Sequence, residues 1–227
     1  MAEPKYRHEY KYPISKSEGV LLAGRLSSVL TPDRHAEGGS YTIRSLYFDD
    51  FSNTAYYDKM DGVAQRAKYR IRFYDYDSSL IKLEKKEKNG SLTRKTAQTI
   101  TKRDAAALEF ARTEGCPDHP DGLTAELRIA CVSKGLRPRI LVDYDRTPFI
   151  CRDGNTRITL DENLRTRPYI PHLFASPRAM IPVIDPDQVI LEVKFDDFLP
   201  GYLATALADI PKVNMAISKF ALCMNFI

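Results

Sequence analysis

Between Arg66 and Phe73 a cation stands at every second residue: Arg66, Lys68, Arg70 and Arg72 alternate with Ala67, Tyr69, Ile71 and Phe73. A period of two is the repeat of a β-strand, so this stretch predicts a strand with one basic face and one apolar face. The segment that follows repeats the pattern, with Lys82, Glu84, Lys86 and Lys88 on one side and Ile81 and Leu83 on the other. Near the N-terminus Arg7, Glu9 and Lys11 alternate with Tyr6, His8, Tyr10 and Tyr12. Further on, Arg157, Thr159 and Asp161 alternate with Ile158 and Leu160, and Glu192 and Lys194 with Leu191, Val193 and Phe195. Tyr144 and Arg146 also share one face.

A solvated outer face accounts for any one of these strands. It accounts poorly for four cations in a row, because a solvent face ordinarily mixes signs. Same-face neighbours on a strand lie about 6.8 Å apart. At an effective dielectric of ~20 each adjacent like pair costs roughly 2 kcal/mol, against ~0.6 kcal/mol in water. A concave, partly desolvated face of this kind therefore calls for an anion, whereas a fully exposed one tolerates the charges. The apolar faces favour the first arrangement, since amphipathic helices are available to cover them and would turn the charged faces inward.

Those helices and the remaining strands follow from local signals. Ser15 with Glu18 predicts an N-capped helix over 15–30, with Val20, Leu21, Ala23, Leu26, Val29 and Leu30 as its apolar stripe. A strand is expected over 41–50 and a short helix ending near Gly62. The two basic strands are expected to turn around Asp77 to Ser79, and Asn89-Gly90 marks the next hairpin. Thr101 opens a helix, a second ends at Gly135, and a long hairpin turns at Asp153-Gly154-Asn155. A strand over 189–195 precedes helices expected over 201–210 and 212–227. Antiparallel hairpins punctuated by helices predict an α+β fold. A closed antiparallel barrel with a polar, basic lumen and helices outside, built as a single domain over 1–227, satisfies both sets of faces and leaves no edge.

Composition excludes several classes. With 43% hydrophobic and 28% charged residues the chain has enough apolar surface for a core, so disorder is not expected. The net charge of +4 is mild, and the cations matter through their placement. Cys116, Cys131, Cys151 and Cys223 form no CxxC pair, and His8, His35, His119 and His172 have no metal-ligand spacing. Asp49-Asp50 reads as the end of a strand and the cap of a following helix rather than as a metal pair. GxxxxGK is absent, which excludes a Walker-type nucleotide site. Rings and cations in RAKYRIRFYDY fall on opposite strand faces rather than forming a stacking platform, so nucleic acid is not the expected partner. No apolar run approaches signal-peptide or membrane-spanning length, and a soluble, cytoplasmic protein with reduced thiols is expected. An Arg- and Lys-lined lumen suits a polyanion, and its few glutamates suit a divalent metal shared with phosphates.

An ordered set of short motifs resembles the VTC polyphosphate polymerase domain, a member of the triphosphate tunnel metalloenzyme (CYTH-like) superfamily. The set is Arg7-x-Glu9-x-Lys11, SLYFDD, Tyr57-x-Lys59, Arg70-x-Arg72, Leu83-Glu84-x-Lys86, Tyr144-x-Arg146, Leu191-Glu192-x-Lys194 and Ser218-Lys219-Phe220. The resemblance implies a tunnel of eight antiparallel strands with helices outside, and transfer of the γ-phosphate of ATP to a growing polyphosphate chain with Mn²⁺ or Mg²⁺. It implies catalytic roles for Lys11, Arg70, Arg72, Arg146 and Lys219. It further implies substrate contacts from Arg7, Lys59, Lys68, Lys82, Lys86, Lys95, Tyr144, Arg157, Lys194 and Ser218. Glu192 would hold the metal, with Glu9 or Glu84 assisting. No membrane segment is present, so any membrane association would come through a partner protein. Hydrolytic members of the superfamily typically open with Glu-x-Glu-x-Lys, and here Arg7 takes the first of those positions. Losing a carboxylate weakens a water-activating two-metal arrangement, whereas a phosphate terminus is already an anionic nucleophile. This favours transfer to phosphate over the alternatives, a tunnel triphosphatase or a non-catalytic polyphosphate-binding module.

Overall fold

The computed structural model describes residues 8–32, 36, 38–90, 92–110, 122–169, 171, 173–175, 179–210 and 214–226. Arg7, His35, Cys116, His119 and His172 lie outside them. The strands are β1 (His8–Ser15), β2 (Thr31–Pro32), β3 (Tyr41–Asp49), β4 (Gln65–Tyr74), β5 (Asp77–Asn89), β6 (Leu92–Ile100), β7 (Arg137–Cys151), β8 (Thr156–Pro168), β9 (Ile181–Pro182) and β10 (Gln188–Phe195). The helices are α1 (Lys16–Ser27), α2 (Thr54–Met60), α3 (Lys102–Glu109), α4 (Gly122–Ser133), α5 (Gly201–Ala206) and α6 (Lys219–Met224).

Strand order is β1-β10-β8-β7-β3-β4-β5-β6, with antiparallel pairing in the ladders. The fold is α+β, as the sequence predicts. The expected closed barrel is corrected: among the described residues the order begins at β1 and ends at β6 without returning on itself. One end of that order is blunted by another route. Residues after α5 run beside β1, where Met215 N–H donates to the Lys11 carbonyl at 3.0 Å and Lys11 N–H donates to Asn214 Oδ1 at 3.1 Å. These bonds replace part of the helix expected from 212 onward, and helix begins only at Lys219.

The chain divides into two compact units. Unit 1 comprises 1–42, 144–164 and 182–218; unit 2 comprises 43–143, 165–181 and 219–227. In unit 1 the core joins Leu22 and Leu26 of α1 to Ile14, Ile158, Leu160, Val189, Leu191 and Val193 from the strands. Ser15 caps α1 as expected, accepting from Glu18 N–H at 3.2 Å while Glu18 Oε2 accepts from Ser15 N–H at 2.7 Å. Of the predicted stripe Leu26 and Leu30 are buried and Ala23 packs on the core, whereas Val20, Leu21 and Val29 are exposed and Leu22 takes their place. Gly19 packs against Val189, where a Cβ would sit at an ordinary contact distance of 3.4 Å. The rings of β1 share one face as expected: His8, Tyr10 and Phe195 stack with one another, with His8 exposed.

In unit 2 the core joins α3 and α4, through Ala105, Leu108, Leu123 and Leu127, to Leu46, Ile71, Phe73, Ile81 and Leu83. The β4–β5 hairpin turns at Asp75 and Tyr76, both at positive φ (49° and 57°), rather than at Asp77–Ser79. A two-residue turn of that kind matches strand twist but ordinarily takes Asn or Gly, so its sequence signal was weak. Tyr76 is held there by Asp143, to which its hydroxyl donates at 3.0 Å, and by the Arg44 guanidinium 4.6 Å above its ring. Arg44 itself lies on the core-facing side of β3, fully buried and bidentate to Asp143. At the β7–β8 turn Gly154 has φ 60°, and a Cβ there would meet the Phe198 carbonyl oxygen at 2.2 Å. Cys131, Cys151 and Cys223 are buried free thiols. No helix among the described residues is long and apolar enough to cross a membrane.

Candidate phosphate-binding faces

The basic face of unit 2 is built by register. Arg72 stands opposite Lys82, Lys68 opposite Lys86, and Lys86 opposite Lys95. Directly opposed like charges destabilise a sheet. The exception is Arg70, which faces Glu84. Glu84 is almost wholly buried and serves three cations: Arg70 at 2.6 Å, Arg72 at 3.9 Å and Lys95 at 2.5 Å. Burial alone would raise its carboxyl, but Arg70, Arg72 and Lys95 hold it far below the ordinary value.

Further groups fix the arginines. Tyr47 Oη accepts from Arg70 at 2.7 Å, and Ser45 Oγ accepts from Arg72 Nε at 3.1 Å. Both accepting residues alternate into the basic face from β3, opposite the arginines they hold. Lys68 lies over the rings of Tyr47 and Phe220. A small open recess is lined by Tyr47, Lys68, Arg70, Glu84, Lys86 and Lys95. Lys59 is half-buried in α2, which packs on β4 and α6, and Lys219 is the first residue of α6.

Lys95 stands at the edge of this face on β6, its side chain half exposed. Desolvation, opposed by Glu84 and reinforced by Arg70, lowers it to about 8. A bound phosphate would restore its proton, so near pH 8 wild type should take up more protons on binding tripolyphosphate than a Lys95→Met variant does. Calorimetry in buffers of different ionisation enthalpy measures that uptake, and equal uptake by the two proteins would contradict it.

Unit 1 carries a different pattern, in which signs alternate across strands. Lys11 stands opposite Glu192, Glu9 opposite Lys194, and Glu192 opposite Thr159. The Lys11 ammonium lies 2.9 Å from Glu9 and 3.5 Å from Glu192, and donates to the Ile217 carbonyl at 3.0 Å. Burial works against its charge, yet Glu192 and Glu9 outweigh burial and keep it above the usual lysine value. Arg146 is bidentate to Asp161 at 2.6 and 2.8 Å, reaches Glu192 at 3.4 Å and lies over the Tyr144 ring. Lys194 reaches Glu192 at 3.0 Å, and Arg157 donates to Tyr41 Oη at 2.9 Å. Ser218 is buried.

The structure thus brings Arg70, Arg72, Lys68, Glu84, Lys86 and Lys95 together on one face, with Lys82 opposite Arg72. It brings Glu9, Lys11, Arg146, Glu192 and Lys194 together on the other. Sequence reasoning assigned no role to Ser45, Tyr47, Tyr41 or Asp161. For Asp161 the signal existed, since it alternates with Arg157; the other three are pairing effects of tertiary register.

The donor chemistry fits a hard divalent cation on the unit 1 face. Glu9 and Glu192 already share one cation, the Lys11 ammonium, and carboxylate oxygens suit Mg²⁺ or Mn²⁺. Among the described residues no group of three His, Cys, Asp or Glu is placed to hold a metal. The remaining ligands would therefore come from phosphate oxygens or water. Asp49 and Asp50 are not part of either cluster. Asp49 accepts N–H bonds from Ala55 and Tyr56, and Asp50 accepts from Thr54, so both cap α2.

The family model of the VTC domain matches residues 6–227. A crystal structure of a candidate adenylate cyclase from Bacillus halodurans superposes with a TM-score of 0.54 at 16% identity, covering 96% of this chain and 99% of that one. A candidate adenylate cyclase from Vibrio parahaemolyticus gives 0.53 at 12% identity, covering 97% and 98%. At such identities the likeness is one of fold. A search of curated proteins found no match.

Proposed function

The chain belongs to the VTC domain family, and from that premise we propose that it is a metal-dependent polyphosphate polymerase using ATP. A terminal phosphate oxygen of the growing chain attacks the γ-phosphorus of ATP, and the bond to the β,γ-bridging oxygen breaks. ADP leaves with that electron pair, and no proton need be removed from the nucleophile.

The observation that carries this reading is the run of opposed like charges on β4, β5 and β6, where Glu84 is the carboxylate that offsets Arg70, Arg72 and Lys95. Such a face is stabilised by a polyanion and strained without one. Arg70 and Arg72, held by Tyr47 and Ser45, would clamp phosphoryl oxygens, and Lys68, Lys82, Lys86 and Lys95 would add charge. On the unit 1 face Lys11, Arg146, Arg157 and Lys194 would neutralise phosphate oxygens, with Tyr144 and Ser218 donating hydrogen bonds. Lys59 and Lys219 would extend phosphate contacts from α2 and α6, and Arg7 from the segment before β1. Glu192 and Glu9 would hold Mn²⁺ or Mg²⁺, which when bound neutralises charge on phosphate oxygens. Glu84, set among Arg70, Arg72 and Lys95 on the basic face, would act as the internal counter-ion of the phosphate grip.

Purified protein given ATP and Mn²⁺ should produce a ladder of polyphosphate on a gel, and a chelator should abolish it. Release of orthophosphate without a ladder would replace this reading with a triphosphatase. Binding of polyphosphate with neither product would replace it with a binding module.

A further inference from the structure

We propose that the hydroxyl of Thr159 is a further phosphate ligand on the unit 1 face. The inference rests on the phosphate-binding reading of that face and adds to it a neutral group whose position in the fold has no other evident use. Thr159 is 2% exposed, and among the described residues Oγ1 has no hydrogen-bond partner. It lies on β8 between Arg157 and Asp161, with its Cα opposite Glu192 on β10. Parity places it on the charged side of the strand, since Ile158 and Leu160 on either side are buried in the unit 1 core.

Its neighbours are already committed elsewhere. Glu192 is engaged by Lys11, Lys194 and Arg146, and Asp161 receives two bonds from Arg146. Those carboxylates are offset by Lys11, Lys194 and Arg146, and with Arg157 on the same side of β8 these cations would draw an oxyanion to the hydroxyl. A buried hydroxyl left unpaired weakens a fold, and valine has the same shape without that penalty. Valine also suits a strand at least as well. Retaining threonine is explained if the hydroxyl donates to a phosphate oxygen when substrate is bound. A structural role predicts the reverse pattern in stability.

The test is Thr159→Val beside Thr159→Ser, with inorganic tripolyphosphate as probe and chelator present to exclude metal. Calorimetry should show the Val variant binding about tenfold more weakly than wild type, as expected for a hydrogen bond to a charged group. The Ser variant should bind nearly as well as wild type. The unliganded Val variant should unfold at the same temperature as wild type or higher. Equal affinity of the Val variant and wild type would overturn the proposal, as would a lower unfolding temperature for Val with unchanged affinity. Failure of wild type itself to bind tripolyphosphate would instead overturn the phosphate reading, and this inference with it.

Discussion

Glu84→Gln is expected to weaken the fold and tighten anion binding in the same molecule. The carboxylate is almost wholly buried and serves Arg70 at 2.6 Å, Arg72 at 3.9 Å and Lys95 at 2.5 Å. Removing one partner of a buried ion cluster leaves uncompensated charge, which costs about 3 kcal/mol. The sign with pH follows from the depressed carboxyl. Its stabilising contribution is complete above the ordinary value of 4.5 and is lost as pH falls towards the much lower folded value. The gap between wild type and variant in thermal unfolding should therefore be widest at neutral pH and close in acid. Lys95, already at about 8, loses the group that raises it and should titrate lower still.

Binding should move the other way. Glu84 occupies the cations that a phosphate would use, and its charge repels one. With the carboxylate gone, tripolyphosphate should bind about tenfold more tightly at low salt, the change expected from removing one nearby repulsive charge. Added tripolyphosphate should restore the lost unfolding temperature by mass action. Parallel losses of stability and affinity would show that Glu84 shapes the face rather than standing in for the anion.

How much of this was legible in the sequence differs between the two levels of structure. The period-two pattern named the charged faces of β1, β4, β5, β8 and β10, because alternation is a local property of a strand. The Ser15–Glu18 pair and the opening Thr101 located the starts of α1 and α3 for the same reason, and both form capping boxes. The β4–β5 turn was misplaced, since Tyr76 adopts positive φ only with Arg44 and Asp143 to hold it, and that support comes from distant segments. The short α6 has the same explanation: the Met215 N–H and the Ile217 carbonyl bond to Lys11 rather than within a helix. In the site, cation positions were readable, whereas their partners Tyr47, Ser45 and Asp161 depend on which strands become neighbours. Register also separated the glutamates, which look alike in sequence. Each is engaged by three cations, but Glu192 shares Lys11 with Glu9 and Arg146 with Asp161, so carboxylates cluster in unit 1 around it.

That separation makes Glu192→Gln the sharper test of chemistry. Glu192 touches Lys11 at 3.5 Å, Arg146 at 3.4 Å and Lys194 at 3.0 Å. Two of these three partners have another carboxylate beside them. Arg146 keeps two bonds to Asp161, and Lys11 keeps Glu9 at 2.9 Å. The fold should therefore lose no more than about 1 kcal/mol, within the range of ordinary substitutions. Tripolyphosphate binding in chelator should hold or tighten, because one negative charge leaves a cationic surrounding. What should collapse is metal use: the Mn²⁺ needed for half-maximal rate should rise, and turnover of ATP into polyphosphate should fall by about a hundredfold. Glu84→Gln should show no comparable change in its Mn²⁺ requirement. If both variants shift that requirement equally, the division between a counter-ion and a metal carboxylate is wrong. If Glu192→Gln keeps full turnover at low Mn²⁺, the metal is held elsewhere in the chain.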